Sequence, residues 1–348
     1  MAKWSKTPYE NLVKLGDIYY INAHVGGRKV RRSLKTTVAK VAKIKRDTLL
    51  AKLKAGATRT GRETWTLAHA CAVSRQHVED ELSAGKLKPN SAIYRRERIV
   101  VLEKTLPRRP LSSWTRRDMV QWWTGEKMCS YAASTRNGTL VELHHMIKLA
   151  VSAGAMLEDV SEDIERAPIM RKEKRIPSED EYHAIVAEIA KQRTRYAKQS
   201  AQFVQFLASC GCRPTEAFWV HERHVADGFI SIYGGPDGTK NSKPRQVPVI
   251  ASLAKLLESL KPWSPQRYLF AIKTPKVAIR GACRRLGLPQ YAPYDMRHLF
   301  ATRCIESGVD IPTVSRWLGH QDGGALAMKT YGHLRDEHSL AAAKRVHF

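Results

Sequence analysis

The spacing of apolar positions changes period several times along the chain, and the changes divide it. Between residues 18 and 34 the pattern is that of strands. Ile18-Tyr-Tyr-Ile21 is aromatic and β-branched, Gly26-Gly27 offers a two-residue turn, and Arg28-Lys-Val-Arg-Arg32 returns. The period then becomes helical. Thr36 or Thr37 is placed to cap a helix running to about Leu53, with Val38, Val41, Leu49 and Leu53 on one side and Gly56 ending it. The polar run Ala57-Thr-Arg-Thr-Gly-Arg62 reads as a linker. Helical spacing dominates residues 64–160, in segments near 66–82, 90–104, 115–126 and 133–153, broken by Pro89, Pro107 and Pro110. Thr115 with Asp118 three positions on marks one helix start. A basic second linker with two prolines covers 167–177, and Ser178-Glu-Asp-Glu181 then has the form of a capping box. Beyond it, helices alternate with a short strand pair at 229–233 and 245–249, joined through Gly234-Gly-Pro-Asp-Gly238. The expected fold is mainly α with small β elements. It comprises a β-hairpin/helix module over 1–60, a helical domain over 64–165, and a mixed α/β domain over 171–348.

Length agrees with several domains, since 348 residues exceed one typical small domain. Charge changes the picture more. Lys and Arg number 59 against 33 Asp and Glu, a net charge of +26. Residues 1–60 carry 15 basic and 3 acidic side chains, 61–170 carry 16 and 14, and 171–348 carry 28 and 16. Two strongly basic regions thus flank a nearly balanced one. Such an excess points to a polyanionic partner, with nucleic acid ahead of an anionic membrane surface, which a single basic amphipathic helix would serve better. The dense Arg28–Arg32 strand suits phosphate contact or plain solvent exposure about equally. No apolar run approaches the roughly 18 residues of a membrane span, and MAKWSKTPYE lacks the apolar core of a signal peptide, so a cytoplasmic location and no membrane partner are expected. The 6 cysteines include no CxxC pair and read as reduced thiols. His221-Glu-Arg-His224 lacks the HExxH order of a zinc protease.

The candidate chemistry lies in the last half. Arg213 sits in Cys210-Gly-Cys-Arg-Pro-Thr-Glu216, where Gly211 can end one helix, Pro214 open the next, and Glu216 brace the arginine. Lys240 lies at a hairpin tip, with Lys243 as an alternative. Three denser runs follow: Pro293-Tyr-Asp-Met-Arg-His298, Ile311-Pro-Thr-Val-Ser-Arg-Trp-Leu-Gly-His320 and Lys329-Thr-Tyr-Gly-His333. Trp317 and Leu318 read as core, and His298 and His333 as structural.

As an ordered set these residues resemble the signature of the tyrosine recombinases, or phage integrases: an Arg with a Glu three on, a hairpin Lys, an H-x-x-R box, an LGH box, then a Tyr. Here the set is Arg213, Lys240, Tyr294-x-x-Arg297, Leu318-Gly-His320 and Tyr331. Residues 64–160 resemble the family's helical core-binding domain, and 15–56, more loosely, its arm-binding domain. The resemblance implies a site-specific DNA recombinase of a phage or mobile element, acting as a tetramer on duplex attachment sites, with host DNA-bending and directionality proteins as further partners. It implies Tyr331 as covalent nucleophile, Arg213, Arg297 and His320 on the phosphate oxygens, and Lys240 as acid. Arginine suits a bidentate phosphate clamp, and phenolate suits a reversible ester. No metal, ATP or other cofactor is expected, since neither a phosphate-binding GxxxxGK[ST] loop nor a carboxylate cluster is present. Two departures stand out. Tyr294 replaces the usual His or Lys and reads as a supporting phosphate contact or a packing residue. The interval from His320 to Tyr331, 11 positions, is slightly long. A type IB topoisomerase and a catalytically silent DNA-binding regulator are the competing readings.

Overall fold

The computed structural model describes residues 3–57, 64–170, 175–236, 238, 243–261 and 268–320. The chain divides into two compact units, Met1–Arg171 and Lys172–Phe348.

The first unit opens with an antiparallel sheet of β1 (Trp4–Lys6), β2 (Leu12–Leu15), β3 (Ile18–Val25) and β4 (Arg28–Ser33), paired in sequence order. Gly26 and Gly27 both have positive φ, 56° and 75°, so the β3–β4 turn takes the handedness that matches strand twist. Val25 then pairs with Arg28. Alternation along β3 buries Tyr19, Ile21, Ala23 and Val25 with Val30 and Leu34. The helix α1 (Ala39–Ala57) covers this face through Ala42, Leu49, Leu50 and Leu53. Val38 and Val41, expected on the inner side, are instead exposed. The small Ala42 sets the line of approach to the sheet, Val38 precedes the helix, and Val41 lies about 100° round from Ala42. The helix also passes through Gly56 rather than ending there. The expected linker at 57–62 falls almost wholly outside the described residues.

The remainder of this unit is helical: α2 (Leu67–Ser83), α3 (Pro89–Thr105), α4 (Arg116–Thr124), α5 (Glu126–Cys129) and α6 (Ala133–Ser152). Pro89 marks the break between α2 and α3 and opens the second of them. Thr115 and Asp118 cap α4 reciprocally: the Thr115 amide donates to Asp118 Oδ2 at 2.7 Å, and the Asp118 amide to Thr115 Oγ1 at 3.3 Å. The single helix expected over 115–126 is broken at Gly125, whose extended backbone separates α4 from α5. Trp65, Trp114, Met119, Trp122, Leu143 and Ile147 belong to the core. Ion pairs join β4 and the residues just after it to the turns that follow α6. Arg32 meets Glu158 at 3.4 Å and Glu162 at 2.6 Å, and Lys35 meets Asp163 at 3.2 Å. Arg31 lies over the Trp4 ring at 4.5 Å. One member of the basic strand, Arg32, is therefore engaged inside the unit.

The second unit comprises α7 (Glu179–Ala190), α8 (Ala197–Cys210), α9 (Pro214–Ala217), β5 (Val225–Ala226), β6 (Phe229–Ile232), β7 (Arg245–Pro248), α10 (Ala251–Ser259), α11 (Lys276–Arg285), α12 (Pro293–Glu306) and α13 (Ile311–Leu318). The capping box at Ser178 and Glu181 is present. The three strands form one antiparallel sheet in sequence order. Phe203, Val204, Phe206 and Leu207 make α8 buried nearly all round, which identifies it as the central helix. It ends at Gly211, with φ 64°, where a Cβ would stand 2.2 Å from the Phe300 ring. Glycine is required there for both backbone sign and space, and α12 can therefore pack close to the end of α8.

Candidate active site

Three elements of the second unit converge at this glycine. Arg213 occupies the N-cap of α9, held extended between Gly211 and Pro214. Its amide donates to Glu216 Oε2 at 3.0 Å and its Nη1 to Glu216 Oε1 at 2.8 Å. The bracing expected from the spacing is thus formed. Arg297, on the buried face of α12, is only 2% exposed. It donates from Nη1 to the Gly211 carbonyl at 2.9 Å and from Nη2 to the Leu318 carbonyl at 2.7 Å, and Nη2 lies 3.2 Å from His320 Nε2. Burial first, and the neighbouring Arg213 second, pull its pKa down to about 10. It still carries its charge at neutral pH.

The turn after α13 delivers His320. Gly319 adopts φ 72°, and the amides of Gly319 and His320 close back onto the carbonyls of Arg316 and Ser315 at 3.0 Å each. The next two carbonyls accept from arginines: Trp317 from Arg245 Nε at 2.8 Å, and Leu318 from Arg297. All four terminal carbonyls of α13 are satisfied, two of them by side chains of the site, so the His320 turn is fixed by the cationic cluster itself.

Tyr294, more than a third exposed, lies with its ring 5.9 Å from the Arg297 guanidinium carbon and edge-on to His298 at 5.2 Å. Arg213, Arg297, His320 and Tyr294 are thus brought together. Lys240 and Tyr331 lie outside the described residues. Lys243 is exposed. Leu318 is buried and Trp317 packs partly buried against the core, as expected. His221 and His224 meet edge to face at 5.2 Å. Among the described residues no group of three or more His, Cys, Asp or Glu could hold a metal ion, and no helix is long and apolar enough to cross a membrane. All six cysteines are unpaired, and Cys129 alone is exposed.

Sequence reasoning missed Arg245. Its Nη2 bonds Glu216 Oε2 at 2.6 Å, and its side chain is 6% exposed. A signal existed. Alternation along β7 places Arg245 on the same face as the buried Val247, and an arginine on an inward face needs a carboxylate.

The second unit gathers two arginines and a histidine beside Gly211, a cationic cluster of the kind that suits an anion such as a phosphodiester. Known proteins resemble it. Residues 176–338 match the model of the phage integrase family. The chain is similar to the tyrosine recombinase XerA of Pyrococcus furiosus, 25% identical over 192 residues that cover 51% of this chain and 65% of the relative. It is also similar to XerC of Pseudomonas fluorescens, 28% identical over 169 residues that cover 43% and 53%. It therefore spans about half to two thirds of the length of these relatives. Among solved structures, a lambda integrase dimer bound to a COC' core site superposes with TM-score 0.63 at 15% identity, over 94% of this chain and 96% of that one. The Tn1549 transposon integrase in complex with circular intermediate DNA gives 0.61 at 16%, over 80% and 99%. The fold is the tyrosine recombinase fold, mainly helical with small antiparallel sheets. Residues 176–338, within the second unit, thus match the phage integrase family, and the chain is similar to tyrosine recombinases.

Proposed function

We propose that the protein is a site-specific DNA recombinase, the integrase of a phage or similar mobile element, which cuts and rejoins DNA through a 3′-phosphotyrosyl intermediate at Tyr331. The observation that carries this reading is the convergence of Arg213, Arg297 and His320 in one cluster, in the order of the family's signature. Attack on a phosphodiester builds negative charge on its non-bridging oxygens. Two arginines held by Glu216 and by backbone carbonyls meet that charge without reorganising, which is where such donors act most strongly. Tyr331 Oη forms the bond to phosphorus, its proton passing to water, while the bond to the 5′-oxygen breaks and Lys240 protonates that oxygen, which leaves as the 5′-hydroxyl. Return of a 5′-hydroxyl reverses the step, so neither metal nor ATP enters. Tyr294 supports the phosphate with a neutral hydrogen bond.

Duplex DNA as partner is supported by the net charge of +26. We assign residues 1–60 to an arm-type DNA-binding module, 64–165 to a core-binding domain and 171–348 to the catalytic domain. The strongly basic N-terminal module favours a recombinase over a topoisomerase, whose swivelling needs no second DNA site. A tetramer on DNA is supported by the fold shared with a lambda integrase tetramer bound to a Holliday junction, at TM-score 0.61 and 15% identity over 92% of this chain. We place the protein in the cytoplasm, where such DNA resides.

The test is a suicide duplex carrying the cognate core site, nicked so that the cut strand is lost. The wild-type chain should form a covalent adduct on denaturing gels, mapped by mass spectrometry to Tyr331, and Tyr331→Phe should bind DNA yet form none. An adduct from the Phe variant, or a link at Tyr294, overturns the assignment.

A further inference from the structure

We infer that Arg245, on β7, is a positioning residue of this centre: it ties the Glu216 carboxylate that braces Arg213 to the α13 turn that carries His320. The inference rests on the recombinase reading for its consequence, but on geometry for the coupling itself.

Arg245 pairs with Ile232 across the β6–β7 ladder and points inward, where two of its nitrogens are used separately. Nε donates to the Trp317 carbonyl at 2.8 Å, and Nη2 donates to Glu216 Oε2 at 2.6 Å. One planar group therefore spans two pieces of chain about 100 residues apart in sequence. Glu216 is itself shared. Its Oε2 accepts from the Arg213 amide as well as from Arg245, and its Oε1 accepts from Arg213 Nη1. Burial alone would raise the Glu216 carboxyl, but Arg245 and Arg213 together outweigh it and hold the group below the usual carboxylate range. A carboxylate that is 3% exposed keeps its charge because both arginines stand beside it, and Arg245 is the one that also reaches the α13 turn.

Gly319 carries the other half of the argument. A Cβ there would stand 2.9 Å from Arg245 Cδ and 3.2 Å from its Nε. The residue before His320 is therefore glycine for the passage of Arg245 as much as for its φ of 72°. Arg245 also lies five positions after Lys240, so it anchors the strand that returns from that segment. Its bonded nitrogens face Glu216 and Trp317, within the protein, so it acts through the residues it holds. Lysine cannot replace it, having one nitrogen where two directions are needed.

The experiment compares wild type, Arg245→Lys, Arg245→Met, Glu216→Gln and the Glu216→Gln/Arg245→Met pair. It reads single-turnover adduct formation at saturating suicide duplex, DNA affinity, thermal melting, and the ¹⁵N-edited Nε–H signals of Arg213 and Arg297. Both Arg245 variants should slow adduct formation about tenfold or more with DNA affinity unchanged, and the pair should be no slower than its slower single variant, as for residues acting as one unit. In Arg245→Lys the Arg213 and Arg297 signals should shift or broaden while melting stays near wild type. An Arg245→Lys protein as fast as wild type, losses that multiply in the pair, or arginine signals unchanged in Arg245→Lys would each overturn the inference. Should the wild-type chain form no adduct, the recombinase reading fails, and the arginine signals alone decide the coupling.

Discussion

Glu142 in the first unit and Glu216 in the second are both nearly buried, at 2% and 3% exposure, and both bond arginine. Around Glu142 the charges close on themselves. Arg95 donates from Nε to Oε2 at 2.8 Å and from Nη2 to Oε1 at 3.1 Å, and also bonds Glu81, while His145 stands 3.6 Å away. One guanidinium thus serves two carboxylates. Around Glu216 the ratio is reversed: Arg213 and Arg245 bond it, and Arg297 lies close enough for Arg213 to lower its pKa. The Glu142 network cross-links α2, α3 and α6 and holds no excess of cationic charge. A buried excess of like charge is costly until an anion arrives, and proteins retain such costs where they act. The contrast separates architecture from site without reference to any motif.

The contrast can be broken by removing one partner from each network. Arg213→Gln should lower the single-turnover cleavage rate by about 10²–10³, the usual cost of one preorganised oxyanion donor, with little change in melting temperature, because Glu216 keeps Arg245. Glu142→Gln should do the reverse, costing about 2–3 kcal/mol of stability in urea unfolding with the rate per folded molecule unchanged. A stable Glu142→Gln protein, or an Arg213→Gln protein that unfolds easily yet cleaves at the normal rate, would erase the distinction.

Tyr294 sharpens the edge of the site. It stands at the mouth of the cationic cluster rather than inside it, so Tyr294→Phe should slow cleavage only about tenfold, and Tyr294→His should be tolerated, because a neutral phenol gives roughly half the bond of a charged donor. A loss as large as that of Arg213→Gln would move Tyr294 into the core of the centre.

The smallest expected effect is on acid stability. For Glu142, burial would raise the pKa, but the bonds from His145 and Arg95 outweigh it and hold the folded value low. A group depressed in this way contributes stability that is present above its unfolded pKa, about 4.3, and is lost as pH falls through the folded value. Glu142→Gln should therefore flatten the stability curve below about pH 4.5 and leave its slope near neutrality unchanged. Equal slopes for wild type and variant on the acid side would remove Glu142 from the account.

Much of the fold was legible because local rules coincided with tertiary need. The Gly26-Gly27 turn, the capping boxes at Thr115 and Ser178, and the helical periods of 66–104 and 133–153 all form close to where the pattern puts them. Strands β1 and β2 were not legible, because three- and four-residue segments with mixed polarity carry no usable period. The register of α1 was misread because Val38 and Val41 are apolar but the close approach belongs to Ala42. Within the cationic cluster, Arg213, Arg297 and His320 were legible as candidates because each follows a recognisable local signal. Arg245 was not, because a single arginine in a strand looks like any other exposed basic residue until its partner is seen.

By itself the sequence determined the mainly helical class, the two basic regions, and the ordered set of arginines, histidine and tyrosines. These depend on residue identity and short-range spacing, which the chain carries openly. Only the tertiary structure decided what surrounds them. Arg297 is among the largest fully buried side chains, Arg32 is spent on Glu158 and Glu162, and Glu216 lies between two arginines 32 positions apart, Arg213 and Arg245. Burial and partnership of charge are set by which elements pack together, and that packing joins residues no local pattern relates.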